Sequence, residues 1–532
     1  MGRSKWLRDQ WAALATLALI TVSLTSGLIG LDFGAHPDEW EHHQHVLTSA
    51  ATGSLLPGGF YVYPSLIHWV SLTGSGVWKV TTGGLITEMP LEEFVLPARA
   101  IALSISVAGG WGLYLAGKRL MGSWAGFTAA GIYLTSWHLA FHARWLAPDA
   151  MLAALTAFFL WALVSRWTFP TSRKWAIAAA ALVGFATSTK YQGAALLLPL
   201  LIATWFLTSF ENHRFRAAVR GWGRDVAVSF VAFLLITPGA VLEPTHFVRD
   251  LIWNLDHYED GHKIYFFNIM AETIFDPVRY AQALIQYVTT TMASSYLIVS
   301  LIITALMAIG VWSLGRRDWR LAILLVVAPI FLLLYFSTLT VFFPRNFLLI
   351  LPFIALLAGT GLQHLVAALP AIWSIALRIL VAVAIVVFAI DLWRAAQTID
   401  EQGPRQRAEL LASRIVVEPD RCWRISDALV ESMNGYGITL TPSTANDGDT
   451  ERIAFSTSDI ALLPSNTKWR AWPGYIPGYF DWLGSREVDF SYYPNWTGEP
   501  RVLVFSPETR NEVGLTDKMV DELGIRDICW SL

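Results

Sequence analysis

Apolar residues in this chain gather into long blocks separated by short polar stretches, at roughly 11–30, 98–117, 123–139, 149–165, 174–188, 192–210, 225–241, 289–314, 319–339, 346–367 and 371–391. A helix of about 20 successive apolar residues crosses a bilayer, so the pattern predicts a polytopic α-helical membrane protein with about 11 transmembrane helices. The stretch from Ser65 to Val80 is apolar but short, and His68, Thr73, Gly74 and Gly76 interrupt it. It predicts an amphipathic helix lying in the outer interface, because a span there would invert every later loop. After Trp393 prolines, glycines and charges become frequent and no block is long enough to cross a membrane. Residues 1–393 therefore form the membrane domain, and residues 394–532 a separate soluble domain. In the latter Cys422–Ser426, Arg452–Phe455, Asp459–Leu463 and Arg501–Phe505 read as short strands, and Arg405–Arg414 and Asp427–Met433 as helices, predicting a small α/β module. There is neither an internal repeat nor a low-complexity tract.

Composition agrees with the pattern: 54% of the residues are hydrophobic and 15% charged. The first block follows basic residues, as a signal peptide would, but it is long for one and many spans follow; it reads as an uncleaved span. A net charge of -3 without basic runs argues against nucleic acid as a partner. The two cysteines, Cys422 and Cys529, exclude a cysteine metal cluster. Each borders a predicted strand of the soluble domain, and a disulfide between them is expected if that domain meets an oxidising compartment.

Charge also sets the topology. Arg3, Lys5 and Arg8 place the N-terminus on the cytoplasmic side of an inner (cytoplasmic) membrane, and threading the spans alternately puts Lys118 and Arg119, Arg166, Arg173 and Lys174, Arg214 to Arg224, and Arg316 to Arg320 in cytoplasmic loops. An odd number of spans leaves the C-terminal domain outside.

With the topology set, the informative cations are the outer ones, Arg99, Arg144, Lys190, Arg249, Lys263, Arg279 and Arg345. Snorkelling explains many such residues taken singly. Arg144, Lys190 and Arg345 stand at span ends, where a phosphate at headgroup level is a natural partner. Acids show the same bias: His36-Pro37-Asp38-Glu39 follows the first span and Pro148-Asp149 opens the fourth. Proline followed by an acid is also ordinary helix-start chemistry, so a capping role competes with a chemical one. His42, His43 and His45 crowd the helix begun by Pro37, and Glu39 and His42 have ligand-like spacing. No complete metal motif is present; a divalent cation is possible but not required by the sequence. The outer loop from Glu243 to Tyr280 carries His257, Tyr258, Glu259, Asp260, His262 and Lys263, a polar cluster suited to substrate binding.

In order and sidedness, Asp38-Glu39 in the first outer loop, Tyr63-Pro64, Arg99, Arg144 with Pro148-Asp149, Thr189-Lys190 and Pro344-Arg345 resemble the GT-C glycosyltransferases. Within these the likeness is to the protein O-mannosyltransferase and aminoarabinose-to-lipid-A transferase branch, and it covers about the first 390 residues. His36-Pro37-Asp38-Glu39 is also similar to the mannosyltransferases of the glycolipid-anchor pathway. The resemblance implies a polyprenyl-phosphate-linked sugar donor and a lipid, glycan or protein acceptor arriving from outside. It assigns the catalytic acid to Asp38, with Glu39 beside it, and a second acid to Asp149. Substrate-binding roles then fall to His42, Tyr63, Arg99, His257, Tyr258 and His262. Inverting transfer in one displacement needs a carboxylate to accept the acceptor's hydroxyl proton, and the departing phosphate needs cations, for which Arg345, Lys190 and Arg144 are available. A flippase would place charges near the bilayer midplane and show related halves, and a membrane sensor would leave Asp38, Asp149, Lys190 and Arg345 without a role.

Overall fold

The computed structural model describes residues 2–31, 37–208, 214–259, 277–294, 296–338 and 344–401, and beyond these residues 411–412, 415–416, 422–425, 430, 433–434, 438–443, 452–456, 502–505 and 529–531. The chain divides into two compact units at Arg394, the first holding the long apolar helices and the second centred on residues 395–532.

In the first unit the helices are α1 Gly2–Leu28, α2 Pro37–Thr52, α3 Leu66–Thr82, α4 Leu91–Met121, α5 Ser123–Leu134, α6 Trp137–His142, α7 Pro148–Thr168, α8 Arg173–Thr189, α9 Leu197–Leu207, α10 Arg214–Ile236, α11 Gly239–Leu242, α12 Pro244–Glu259, α13 Pro277–Thr290, α14 Leu297–Ser337, α15 Leu351–Ala368 and α16 Ala371–Glu401. α7 packs against α4 and α8, α15 against α14 and α5, and α10 against α8. Being apolar all round, α7 belongs inside the bundle, and 83% of its apolar stretch is buried against 11% for that of α16, whose Ile372, Leu380 and Val387 face outward.

Among the described residues six helices are long and apolar enough to cross a membrane, fewer than the 11 blocks suggested. Two of those blocks merge in α14, whose 41 residues break at Asp318 (φ −157°, ψ 94°) into lengths that would each suffice for a span. The others are helical but fall short. Near residues 123–139 the chain stops at Leu134 and restarts as the short α6, and at 192–210 a 3-10 turn, Tyr191–Leu196, precedes the 11-residue α9. α8 has only 17 residues, and α10 carries Arg220, Arg224 and Asp225. Those charges are in part structural: Arg166 of α7 donates to Asp225 Oδ2 at 2.8 Å and to Thr204 Oγ1 of α9 at 2.7 Å, so a buried ion pair ties three helices.

The second unit contains a five-stranded sheet in the order β2-β5-β1-β3-β4, with β1 Trp423–Ile425, β2 Thr441–Ser443, β3 Arg452–Ser456, β4 Val502–Phe505 and β5 Cys529–Ser531. β1 and β3 pair in parallel and the other neighbours antiparallel. Trp423, Ile425, Met433 and Leu440 centre its apolar core. Cys422 is disulfide-bonded, and Cys529 is the chain's other cysteine. The strand expected at Asp459–Leu463 lies outside the described residues.

Candidate active site

Asp38 and Glu39 share the first turn of α2 but have different surroundings. Consecutive helical positions lie about 100° apart, so the two carboxylates are aimed at different neighbours. Glu39 is fully buried. It accepts from Arg99 Nε at 2.8 Å and Arg99 Nη2 at 2.6 Å and from the Leu146 amide at 2.8 Å, while Arg99 Nη1 donates to the Leu31 carbonyl at 2.5 Å. Arg99 also lies 5.1 Å over the Trp145 ring. Glu39, expected to share in catalysis, and Arg99, expected to bind substrate, have no exposed surface, and the pair ties α2 to α4 and to the segment before α7.

Asp38 keeps 21% of its side chain exposed, accepts from the Tyr63 hydroxyl at 2.8 Å, and lies 3.5 Å from Arg345 Nη2. Asp149 follows Pro148 at the start of α7, where the positive end of the helix favours its charge. Lys190 Nζ donates to Asp149 Oδ1 and to Asn346 Oδ1, both at 2.6 Å, and Arg345 Nε stands 4.0 Å from Asp149 Oδ2. Two carboxylates and two cations thus meet in one cluster, with Arg345 between the acids. Flanked by two cations, Asp149 is a poor ligand for a divalent metal as it stands, and among the described residues no group of three or more His, Cys, Asp or Glu is arranged to hold one.

The local backbone explains how the cluster forms. Lys190 is extended (φ −154°, ψ 139°), which ends α8 and turns the chain into the 3-10 turn. Gly193 lets that turn fold onto α8, since a Cβ there would collide with the Ala186 backbone. A second 3-10 segment, Pro344–Ile350, presents Arg345 and Asn346 ahead of α15.

Beside the cluster opens a groove of about 230 Å³. Tyr63, Lys190 and Tyr191 give polar groups to its wall, and Leu251, Leu255, Phe331, Leu332 and Phe336 give apolar surface. Burial, reinforced by Asp250, raises the pKa of the Tyr191 phenol, keeping it a hydrogen-bond donor.

Other expected residues fall elsewhere. Arg144 donates to the carbonyls of Ile29 at 2.8 Å and Ser26 at 2.7 Å, so the cation expected at the phosphate satisfies the end of α1. His42 is buried with its ring centroid 5.6 Å from that of Tyr63. Near it His68 is held neutral, its pKa lowered to about 4 first by burial and then by His42 and His45. The side chains of His257 and Tyr258, and all of His262, lie outside the described residues. Sequence reasoning missed Asn346, Tyr191, Tyr61, Asp250 and Asn254. Asn346, Tyr191 and Asp250 adjoin the named cations Arg345, Lys190 and Arg249 and could have been included on that ground; nothing in the sequence marks Tyr61 or Asn254.

Residues 92–240 match the family described as dolichyl-phosphate-mannose-protein mannosyltransferase. No curated protein matches the chain. Among solved structures, ArnT from Cupriavidus metallidurans bound to undecaprenyl phosphate is similar with a TM-score of 0.53 at 15% identity, over 94% of this chain and 99% of that one. Its apo form gives 0.49 at 16% identity over the same shares. The apo oligosaccharyltransferase of Archaeoglobus fulgidus gives 0.47 at 12% identity, covering 83% of this chain and 61% of that one. At such identity the likeness to ArnT speaks to the fold alone, and with the family match it answers to the GT-C resemblance of the sequence.

Proposed function

We propose that this chain is an integral-membrane glycosyltransferase that moves a sugar from a polyprenyl-phosphate donor to an acceptor on the outer face, by a single inverting displacement with Asp38 as base. The observation that carries the reading is the cluster of Asp38, Asp149, Lys190 and Arg345 beside a largely apolar groove. A lipid-linked sugar phosphate needs cations for its head and apolar surface for its tail, and both are supplied together. The bound undecaprenyl phosphate of the ArnT structure is a ligand of this chemistry.

Arg345 and Lys190 take the donor phosphate; the acceptor hydroxyl gives its proton to the Asp38 carboxylate as its own oxygen bonds to the anomeric carbon. The bond from that carbon to the phosphate oxygen breaks, and the phosphate leaves as an anion held by the two cations. No acid is required at the leaving group. Asp149 keeps Lys190 in place, and Tyr63 fixes the orientation of the Asp38 carboxylate.

Purified full-length protein, given a panel of labelled polyprenyl-phosphate sugars and a membrane extract as acceptor, should release polyprenyl phosphate and carry label to a second molecule. Nucleotide sugars should not substitute. Binding or movement of intact donor with no glycosidic cleavage, in the presence of a demonstrated acceptor, would refute the proposal.

A further inference from the structure

Between α2 and α3 the chain runs without regular structure, and irregular backbone holds its course only where its N–H and C=O groups find partners. Here much of that partnering comes from α12. Arg249 Nη2 donates to the Gly59 carbonyl at 2.9 Å, Asp250 Oδ2 accepts from the Tyr61 amide at 2.6 Å, and Asn254 Nδ2 donates to the Val62 carbonyl at 2.9 Å. The Tyr61 carbonyl accepts from the Tyr191 hydroxyl at 2.6 Å, and the Tyr61 hydroxyl donates to Glu243 Oε2 at 2.6 Å. Gly239 allows α11 to close on this ring, because a Cβ there would collide with the Tyr61 hydroxyl. Asp250 is buried, with only 5% exposed, so its bond to the Tyr61 amide is well shielded from water.

The residue that follows this gripped segment is Tyr63, which donates to Asp38. Asp250 and Asn254 are four apart and share one face of α12; Leu251 and Leu255 form the adjoining face and line the groove together with Asn254. The same helix therefore touches both the space beside the cluster and the backbone that carries the hydrogen-bond partner of Asp38.

We propose that Asp250 and Asn254 are positioning residues, which set the Tyr63–Asp38 hydrogen bond through the backbone of residues 59–62 according to whether the groove is filled. This rests on the proposed function, because it supposes that a lipid phosphate occupies the groove and that Asp38 is the base. A merely structural role for α12 would also stabilise the fold, but it would not respond to the lipid or depend on Tyr63.

The test uses the full chain in detergent with a polyprenyl phosphate as probe, and reads hydrogen exchange of the Tyr61 amide alongside turnover. Lipid should slow that exchange about threefold or more in the wild type and in Asp250→Asn, which retains an oxygen acceptor, but not in Asp250→Ala. Asn254→Ala, an uncharged change usable even if Asp250→Ala fails to fold, should lower kcat about tenfold with the donor KM little moved. In a Tyr63→Phe background the same change should cost less than about twofold, since both act through one bond. Bound lipid with unaltered Tyr61 exchange, or losses that simply multiply in the double variant, would overturn the inference. Failure of the wild type to bind the lipid at all would refute the proposed function, and the positioning role with it.

Discussion

Glu39→Gln and Asp38→Asn alter neighbouring residues by the same chemical change, and they should fail in opposite ways. Glu39 and Arg99 are both fully buried, and three hydrogen bonds converge on the Glu39 carboxylate, from Arg99 Nε, Arg99 Nη2 and the Leu146 amide. An amide in that place offers one acceptor oxygen and turns its NH2 toward a guanidinium, leaving the Arg99 charge buried and uncompensated. Breaking such a pair costs about 3–5 kcal/mol, which for a unit of this size should lower the unfolding midpoint by roughly 4–6 °C. Asp38 is 21% exposed, lies 3.5 Å from Arg345 Nη2, and as an amide would keep an oxygen for the Tyr63 hydroxyl, so its neutralisation should cost clearly less stability than that of Glu39. Turnover should instead fall by about 10²-fold or more, because the base is gone. Thermal inactivation in detergent, measured beside initial rates well below the midpoint, separates the two. A Glu39→Gln protein as stable as wild type, or an Asp38→Asn protein with near-normal turnover, would show that the division of labour between these two acids has been read wrongly.

Arg345→Ala should weaken binding of a polyprenyl-phosphate donor by about 1.5–3 kcal/mol, the worth of a charge-assisted hydrogen bond, and Arg345→Lys should restore it only in part because a point charge cannot lie between both acids as a guanidinium does; unchanged donor affinity in titrations would remove Arg345 from the phosphate site. His68 carries a folded-state pKa near 4, below its ordinary value of 6.5, so the unfolded chain takes up the proton first as pH falls: its contribution is complete above about pH 6.5 and lost progressively toward pH 4, at most about 3 kcal/mol. Melting curves across that range should flatten in His68→Gln, and an equally steep decline in that variant would assign the acid sensitivity elsewhere. Denatured but unreduced protein should offer no alkylatable thiol, and two after reduction, as read by mass spectrometry.

Much of the cluster was legible because its residues sit where chain direction changes. Pro148-Asp149 begins a helix, Lys190 ends one and Arg345 precedes another, so span boundaries alone bring their charges toward one level. Span number was less legible. Hydropathy marks apolar residues but not where a helix breaks, and the stops at Leu134 and at Lys190 depend on backbone packing that no window of composition detects. Glu39 shows a different limit. Its adjacency to Asp38 looks like doubled charge, yet one step along a helix turns a side chain by about 100°, enough to give one acid to Arg99 and the other to the cluster. The grip of α12 on residues 59–62 was invisible for a third reason: it is made to backbone amides, which donate, and carbonyls, which accept, and neither carries a sequence signature.

The resting cluster is balanced, and that balance has a mechanistic consequence. Asp38 and Asp149 contribute two negative charges and Lys190 and Arg345 two positive, with Arg345 within 4.0 Å of both acids. A cation beside a carboxylate makes it a weaker base. On the proposed mechanism, a donor phosphate would compete with both carboxylates for the Arg345 guanidinium and would draw it away from Asp38. An acceptor hydroxyl that arrived before the donor would then meet an Asp38 carboxylate still held by Arg345 and Tyr63. Donor before acceptor is therefore the order the proposed mechanism predicts, through competition for one guanidinium.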